Sequence, residues 1–330
     1  MRSKFIFKGI ALSYFAASFL QANEQKDLAL HEPMNQGHVM VESAKGALLS
    51  GLNLHQRGLE KGEIVSLLIG INYENTSSAL SNCIRDIDHV LNLVLKPRLK
   101  VKDSSVIYMS DKRQGTPYYP TKSNILKQLR QFAGMLNETK IGYFHYSGHG
   151  SRVFDTSFDE ADRYDEALVP VDYGRSGMIL DDEMYSSFIK LLNPDVKLFV
   201  VTDCCHSGTI LDLPYLWNES GRISKEHRLS EADIAALPTV VSLSGCKDTQ
   251  TSADGGPLTV NNEGSGALTA AFLATIKKYN FNITYRQLLK SVNDLLEANG
   301  FTQRPQLSST KILDLDLKIL GLSRELVAAE

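Results

Sequence analysis

Apolar residues along the chain fall in short continuous runs, and the segments between them carry a helical period. The stretch Glu63-Ile-Val-Ser-Leu-Leu-Ile-Gly-Ile71 has strand length and no polar alternation, which predicts a strand covered on both faces. Leu80, Ile84, Ile87, Leu91 and Val94 then recur at helical spacing, and Pro97 closes that helix. The alternation repeats with a strand over 105–109, a helix over 121–136 capped by Thr121 or Ser123, and a strand over 141–146. A glycine-rich turn, Ser147-Gly-His-Gly150, opens a long polar loop that leads to a short strand over 167–171. An amphipathic helix over 181–192 follows, with acids in its first turn, and then a buried strand over 197–202. Residues 214–237 read as a polar linker; beyond it lie a strand (239–244), two helices (266–278 and 284–298) and a last strand near 305–309. Alternating strands and helices with apolar strands predict one α/β domain from about residue 63, a mostly parallel central sheet with helices on both faces.

Composition narrows the class. With 43% hydrophobic and 22% charged residues the chain can bury a sizeable core, which excludes disorder, collagen and coiled coil. A formal charge of −3 leaves no basic footprint for nucleic acid, and four cysteines are too few for a disulfide scaffold. The start differs from the rest: Arg2, Lys4 and Lys8 precede an apolar run from Ile10 to Leu20, with no acid before Glu24. That pattern predicts a signal peptide or short anchor over residues 1–22, although Leu20 two before Ala22 departs from the usual cleavage signature. A genuine signal implies a secreted, periplasmic or secretory-pathway protein, and otherwise a cytoplasmic one; any membrane contact is confined to residues 5–22. Cleavage would take the net charge from −3 to −6. Residues 23–62, polar and without sustained period, read as an amino-terminal arm or pro-segment.

In open α/β sheets reactive groups gather at the carboxyl ends of strands. His149 follows one such end and Cys205 another, 56 residues later, so neighbouring strands could bring imidazole and thiol together. A thiol of ordinary pKa ~8.5 is mostly protonated at neutral pH and needs a neighbouring base to attack. The amides of Gly150 and Cys205 are candidate oxyanion donors. On chemistry alone, an inert buried cysteine beside an unrelated histidine fits equally well. Zinc held by His149, Cys204, Cys205 and His206 fits poorly, since adjacent ligands depart from the usual spacings.

The words themselves are more specific. His145-Tyr-Ser-Gly-His-Gly150 and Asp203-Cys-Cys-His-Ser-Gly208 resemble the catalytic segments of metacaspases, among the caspase-like cysteine peptidases. The resemblance continues through Leu211-Asp-Leu-Pro-Tyr215, the block from Ser244 to Asp254 and Gln303-Arg-Pro-Gln-Leu-Ser308, and its short central interval is similar to type I members. It implies a calcium-activated endopeptidase with a catalytic His149/Cys205 dyad, a large-subunit-like part over about 63–213 and a small-subunit-like part over about 238–320. Cys204 stands where the family often has serine. Cys83, Asp86, Ser147 and Asp203 match substrate-pocket positions, and two carboxylates in such a pocket favour protein substrates with Arg or Lys at the cleaved position. Taken alone, Asp86 could equally be a helix-surface acid and Asp203 a strand-end cap.

Ten acidic residues crowd Asp155–Glu183, ordinarily a solvated loop, and no EF-hand pattern is present. The resemblance implies calcium ligands at Asp165, Asp181, Asp182 and Asp212, and no organic cofactor. Self-cleavage is expected after Arg222, Lys225 or Arg228, or in the arm after Arg57 or Lys61. The family resemblance also implies a monomer. A non-catalytic caspase-like scaffold binding calcium or partners, and a caspase-like enzyme cutting after Asp, are the competing readings.

Overall fold

Seven consecutive residues of β1 (Ile64–Gly70) are buried, and their alternation explains the architecture: Val65, Leu67 and Ile69 enter one hydrophobic layer, Ile64 and Leu68 the other. A computed structural model describes residues 59–154, 164–205, 210–218, 220–226, 230–245, 254 and 256–319. The expected signal segment and all but the end of the arm, with Arg57, lie outside the described residues, as does Arg228.

After β1 come α1 (Cys83–Val90), β2 (Val106–Ser110), α2 (Lys122–Thr139) and β3 (Ile141–Ser147). A small sheet follows, β4 (Gly150–Phe154), β5 (Tyr164–Leu168) and β6 (Ile179–Leu180), with the short helix α3 (Tyr173–Ser176) between the last two. Next are α4 (Asp181–Ser187), β7 (Lys197–Asp203), β8 (Tyr215–Trp217), β9 (Ile223–Glu226), α5 (Glu231–Ala236) and β10 (Thr239–Ser244). The chain then forms the hairpin β11 (Thr259–Val260) and β12 (Glu263–Gly264), α6 (Ala267–Lys278), α7 (Tyr285–Ala298) and β13 (Gln306–Ser309). The main sheet runs β2-β1-β3-β7-β10-β13-β8-β9; its first five strands are parallel and its last three pair antiparallel. Helices α1, α6 and α7 pack on one face and α2 and α4 on the other, so the expected two-sided α/β sheet is what forms. Among the described residues no helix is long and apolar enough to cross a membrane.

Three local readings differ. Helix α1 starts only at Cys83 and passes into a wide π turn over Leu91–Leu95. The strand expected over 167–171 instead spans β5 and pairs with β4, inside what reads as a polar loop. Two of the buried β5 residues are the acids Asp165 and Glu166, and the Arg152 guanidinium lies 4.5 Å from the Tyr164 ring and 3.4 Å from Glu166, so hydrophobic alternation does not reveal the hairpin. The stretch 214–237, read as a linker, contributes β8 and β9 to the main sheet, and Trp217 donates its indole N–H to Ser309 Oγ at 2.8 Å.

Phe199 on β7 meets the rings of Tyr143, Phe272 and Tyr285, each centred 6.2 Å away, and so joins the sheet to α6 and α7. Replacing it with alanine is expected to cost about 3–5 kcal/mol in urea unfolding. A loss below about 1 kcal/mol would show that this packing does not hold the layer.

Candidate active site

Strand register sets the site. Ser147 at the end of β3 pairs directly with Asp203 at the end of β7, and Gly70 at the end of β1 pairs with Ser147. Two residues beyond this pair the chain carries His149 on one side and Cys205 on the other. The two segments then cross closely: a Cβ on Gly150 would collide with the Cys205 carbonyl and lie 3.2 Å from Cys204 Sγ, so only glycine fits there. His149 and Cys205 line one cleft of about 130 Å³ together with Cys83, Ser147, Asp203 and Gly266. Both expected oxyanion residues, Gly150 and Cys205, are thus in backbone contact.

The histidine is held by neighbours that sequence reasoning missed. His149 Nε2 lies 2.7 Å from the carbonyl oxygen of Ser78. A carbonyl only accepts, so Nε2 carries the proton and Nδ1 keeps the lone pair. The ring packs against Tyr73, tilted by 39° with centres 4.7 Å apart, the His149 amide donates to Tyr73 Oη at 3.0 Å, and Tyr146 Oη donates to the His149 carbonyl at 2.8 Å. Burial pushes both phenols up, so they stay neutral hydrogen-bonding posts. The 78–82 loop is fixed in turn by Asp254, whose carboxylate accepts from the amides of Ser81 (2.6 Å) and Asn82 (3.1 Å).

Beside this pair lie the two expected pocket acids. Asp86 on α1 is fully buried and accepts from Ser147 Oγ (2.6 Å), Ser265 Oγ and the Gly266 amide (2.8 Å). Asp203 accepts from the Thr269 amide (2.9 Å) and hydroxyl (2.8 Å). Both carboxylates therefore sit on the amino-terminal turn of α6, where the helix dipole favours negative charge. A side chain on Gly266 would collide with carboxylate oxygens of both, so this glycine is the gap between them. Burial, and then the nearby Asp203 charge, push Asp86 well above the usual carboxylate range. Cys83 is buried, and desolvation followed by the Asp86 charge raises its thiol, so it is a wall and not a nucleophile. Ser265, Gly266 and Thr269 escaped the sequence reading because a Ser-Gly-x-x-Thr helix start is indistinguishable from an ordinary cap.

The expected calcium residues are only partly gathered. Asp165 and Asp181 are buried, and Asp181 accepts from the amides of Glu166 (3.1 Å) and Asp182 (2.9 Å). Burial, with lesser contributions from Glu166 and Asp165, pushes Asp181 up to about 8. Asp182 is exposed, and Asp212 is half-buried in a left-handed turn (φ 44°) with its charge acting on Tyr185. Among the described residues no three acidic, His or Cys side chains converge to hold an ion. Asp165 and Asp181 nevertheless supply hard oxygen donors of the kind a calcium ion takes. Of the expected cleavage positions, Lys61 is exposed ahead of β1, Arg222 is exposed in the β8–β9 turn, and Lys225 lies within β9.

One measurement separates the thiols without a substrate. Iodoacetamide is expected to label the part-exposed Cys205 well ahead of Cys83 and Cys204, read by peptide mapping. Equal labelling of the three would remove the argument for a selectively reactive Cys205.

Comparison with known proteins identifies the family. Residues 65–214 match the family model described as metacaspase, peptidase C14 domain. The chain is 33% identical over 299 residues to Metacaspase-1 of Mycosarcoma maydis, spanning 78% of this chain and 73% of that protein. It is 35% identical over 262 residues to Metacaspase-2 of Trypanosoma brucei brucei, spanning 76% and 74%. A crystal structure of a Geobacter sulfurreducens protein shares the fold, with a TM-score of 0.54 and 23% identity over 78% of this chain and 98% of that one. The chain belongs to the metacaspase family and is a cysteine-type peptidase.

Proposed function

We propose that this peptidase cleaves protein substrates after Arg or Lys, with Cys205 as nucleophile and His149 as proton carrier. One observation carries the specificity: Asp203 lines the same cleft as Cys205, and the buried Asp86 lies against the other side of Gly266. A guanidinium entering there reaches Asp203 directly and feels Asp86 behind it, both acids being held by hydroxyls and amides, and the pair disfavours an aspartate or a bulky apolar side chain. Cys205 Sγ attacks the scissile carbonyl carbon and forms a C–S bond while Nδ1 of His149 takes the thiol proton. The amides of Gly150 and Cys205 serve the developing oxyanion. The C–N bond then breaks, and the same proton passes to the leaving amine. Water adds to the thioester, gives a proton to His149, and expels the thiolate, which takes it back.

Calcium is proposed as activator. Asp165 and Asp181, with Asp182 and Asp212 moving in, would hold the ion, which supplies neutralising charge. Asp212 follows β7 and the catalytic segment, so closing this site would connect the acidic hairpin to Cys205. Self-cleavage is proposed at the five basic positions named above. The Arg222 carbonyl accepts from the Asn218 amide at 2.8 Å, so cutting there or at Lys225 requires the β8–β9 hairpin to open. Export through residues 1–22 and a monomeric state remain part of the same proposal.

Hydrolysis of matched fluorogenic peptides ending in Arg or Asp is expected to show cleavage after Arg alone, absent in Cys205→Ala. Asp86→Asn should lower kcat/KM on the Arg peptide by on the order of 10- to 100-fold. Cleavage after Asp, or no cleavage by protein with or without residues 1–62, would overturn the reading. The raised Asp86 fixes the sign of the pH response: the cation binds best when both acids are ionised, so KM for the Arg peptide should fall as pH rises above neutrality. A flat KM from pH 6 to 9 would contradict it. Stimulation by calcium should disappear in an Asp181→Ala/Asp182→Ala double variant; unchanged calcium dependence would remove the assignment of those ligands.

A further inference from the structure

Beneath the two pocket acids runs a chain of buried polar groups that the reaction does not touch. Tyr143, His145 and Thr269 are each at most 1% exposed. Thr269 Oγ1 lies 2.8 Å from Asp203 Oδ2 and 3.2 Å from His145 Nε2, and His145 Nδ1 lies 3.0 Å from Tyr143 Oη. The proton positions follow from one premise, that Asp203 is ionised and can only accept. The threonine hydroxyl then spends its single proton on Asp203 and must accept from His145. His145 is therefore protonated on Nε2, and its bare Nδ1 accepts the tyrosine hydroxyl.

We infer that His145 is a positioning residue of the substrate pocket, fixing the Thr269 hydroxyl so that it points at Asp203. The inference rests on the Arg/Lys reading of that pocket and deepens it. Two features make histidine suit this place. Its ring is aromatic enough for the sheet core beside Tyr143 yet offers one donor and one acceptor on opposite sides, which links a hydroxyl below to a hydroxyl above. It also brings no charge: burial drops its pKa to about 3, so the imidazole is neutral whenever the enzyme works. A lysine or arginine there would neutralise Asp203 from behind and cancel the field that draws a cationic side chain. A phenylalanine would leave the threonine hydroxyl without a donor and free to turn away. The relay thus orients the acid while leaving its charge for the substrate.

The same sequence logic explains the spacing. His145 and Ser147 lie two apart on β3, pointing to the same face of the sheet, and each serves one acid: Ser147 reaches Asp86 directly and His145 reaches Asp203 through Thr269.

The test compares a peptide ending in Arg with one ending in citrulline, which keeps the shape and loses the charge. His145→Phe is expected to raise KM for the Arg peptide about tenfold with kcat changed less than about twofold, and to shift the citrulline peptide far less. His145→Gln, whose amide can still donate to Thr269, should restore most of the loss, and Thr269→Val should reproduce the phenylalanine variant. The rate of Cys205 alkylation by iodoacetamide should stay constant throughout. Unchanged KM in both His145→Phe and Thr269→Val would overturn the relay, as would equal losses on both peptides accompanied by slower alkylation. If His145→Phe does not fold, Thr269→Val alone decides. A wild-type enzyme that fails to distinguish Arg from citrulline would instead sink the pocket reading, and the relay with it.

Discussion

Two carboxylates buried on either side of one glycine are costly to hold, and elements from across the chain converge to hold them. Like charges out of water repel and lose hydration, so each needs hydrogen-bond donors in fixed positions. The fold supplies them from far along the chain. Asp86 arrives on α1, Asp203 on β7, and the donors come from Ser147 on β3 and from the Ser265–Thr269 segment that opens α6. Gly266 is fixed by the same logic, because any side chain there would collide with carboxylate oxygens of both acids. Two acids on either side of one glycine suit a cation, and that is the physical basis of the proposed specificity.

The cleft is also assembled across the chain's two halves. Residues before 213 provide His149, Cys205 and both acids, and residues after 238 provide Ser265, Gly266 and Thr269, which join Ser147 in holding the acids. Asp254 makes a second connection, since it fixes the Ser81 and Asn82 amides and so the loop whose Ser78 carbonyl orients His149. Pocket and dyad therefore depend on the same long-range packing, built around Phe199 and the helices α6 and α7.

Much of this was legible in the residues because burial leaves a strong trace. Nearly continuous apolar runs such as Ile64–Ile71 and Leu198–Val201 point to strands covered on both faces, and the candidate residues His149 and Cys205 stand just past such runs. The family words around them sharpened the same conclusion. The β4–β5 hairpin was not legible, because its buried positions include Asp165 and Glu166, and acids in a sequence read as solvated loop. Nor were Ser78, Ser265 and Thr269, which act through a carbonyl or a small hydroxyl at separations such as the 179 residues between Asp86 and Ser265. His145 was visible as part of a motif, yet its role required knowing which strand face it shares and that Thr269 lies above it.

The most direct test of the central claim is proton exchange on loading the pocket. Binding of benzamidine, a small guanidinium-like cation, to the Cys205→Ala protein can be followed by calorimetry at pH 7 in buffers of different ionisation enthalpy. A buried pair with Asp86 raised by burial and by Asp203 binds a proton when empty and sheds it to a cation, so release of about one proton is expected, and none in Asp86→Asn. Binding without proton release, or with equal affinity in Asp86→Asn, would contradict the account.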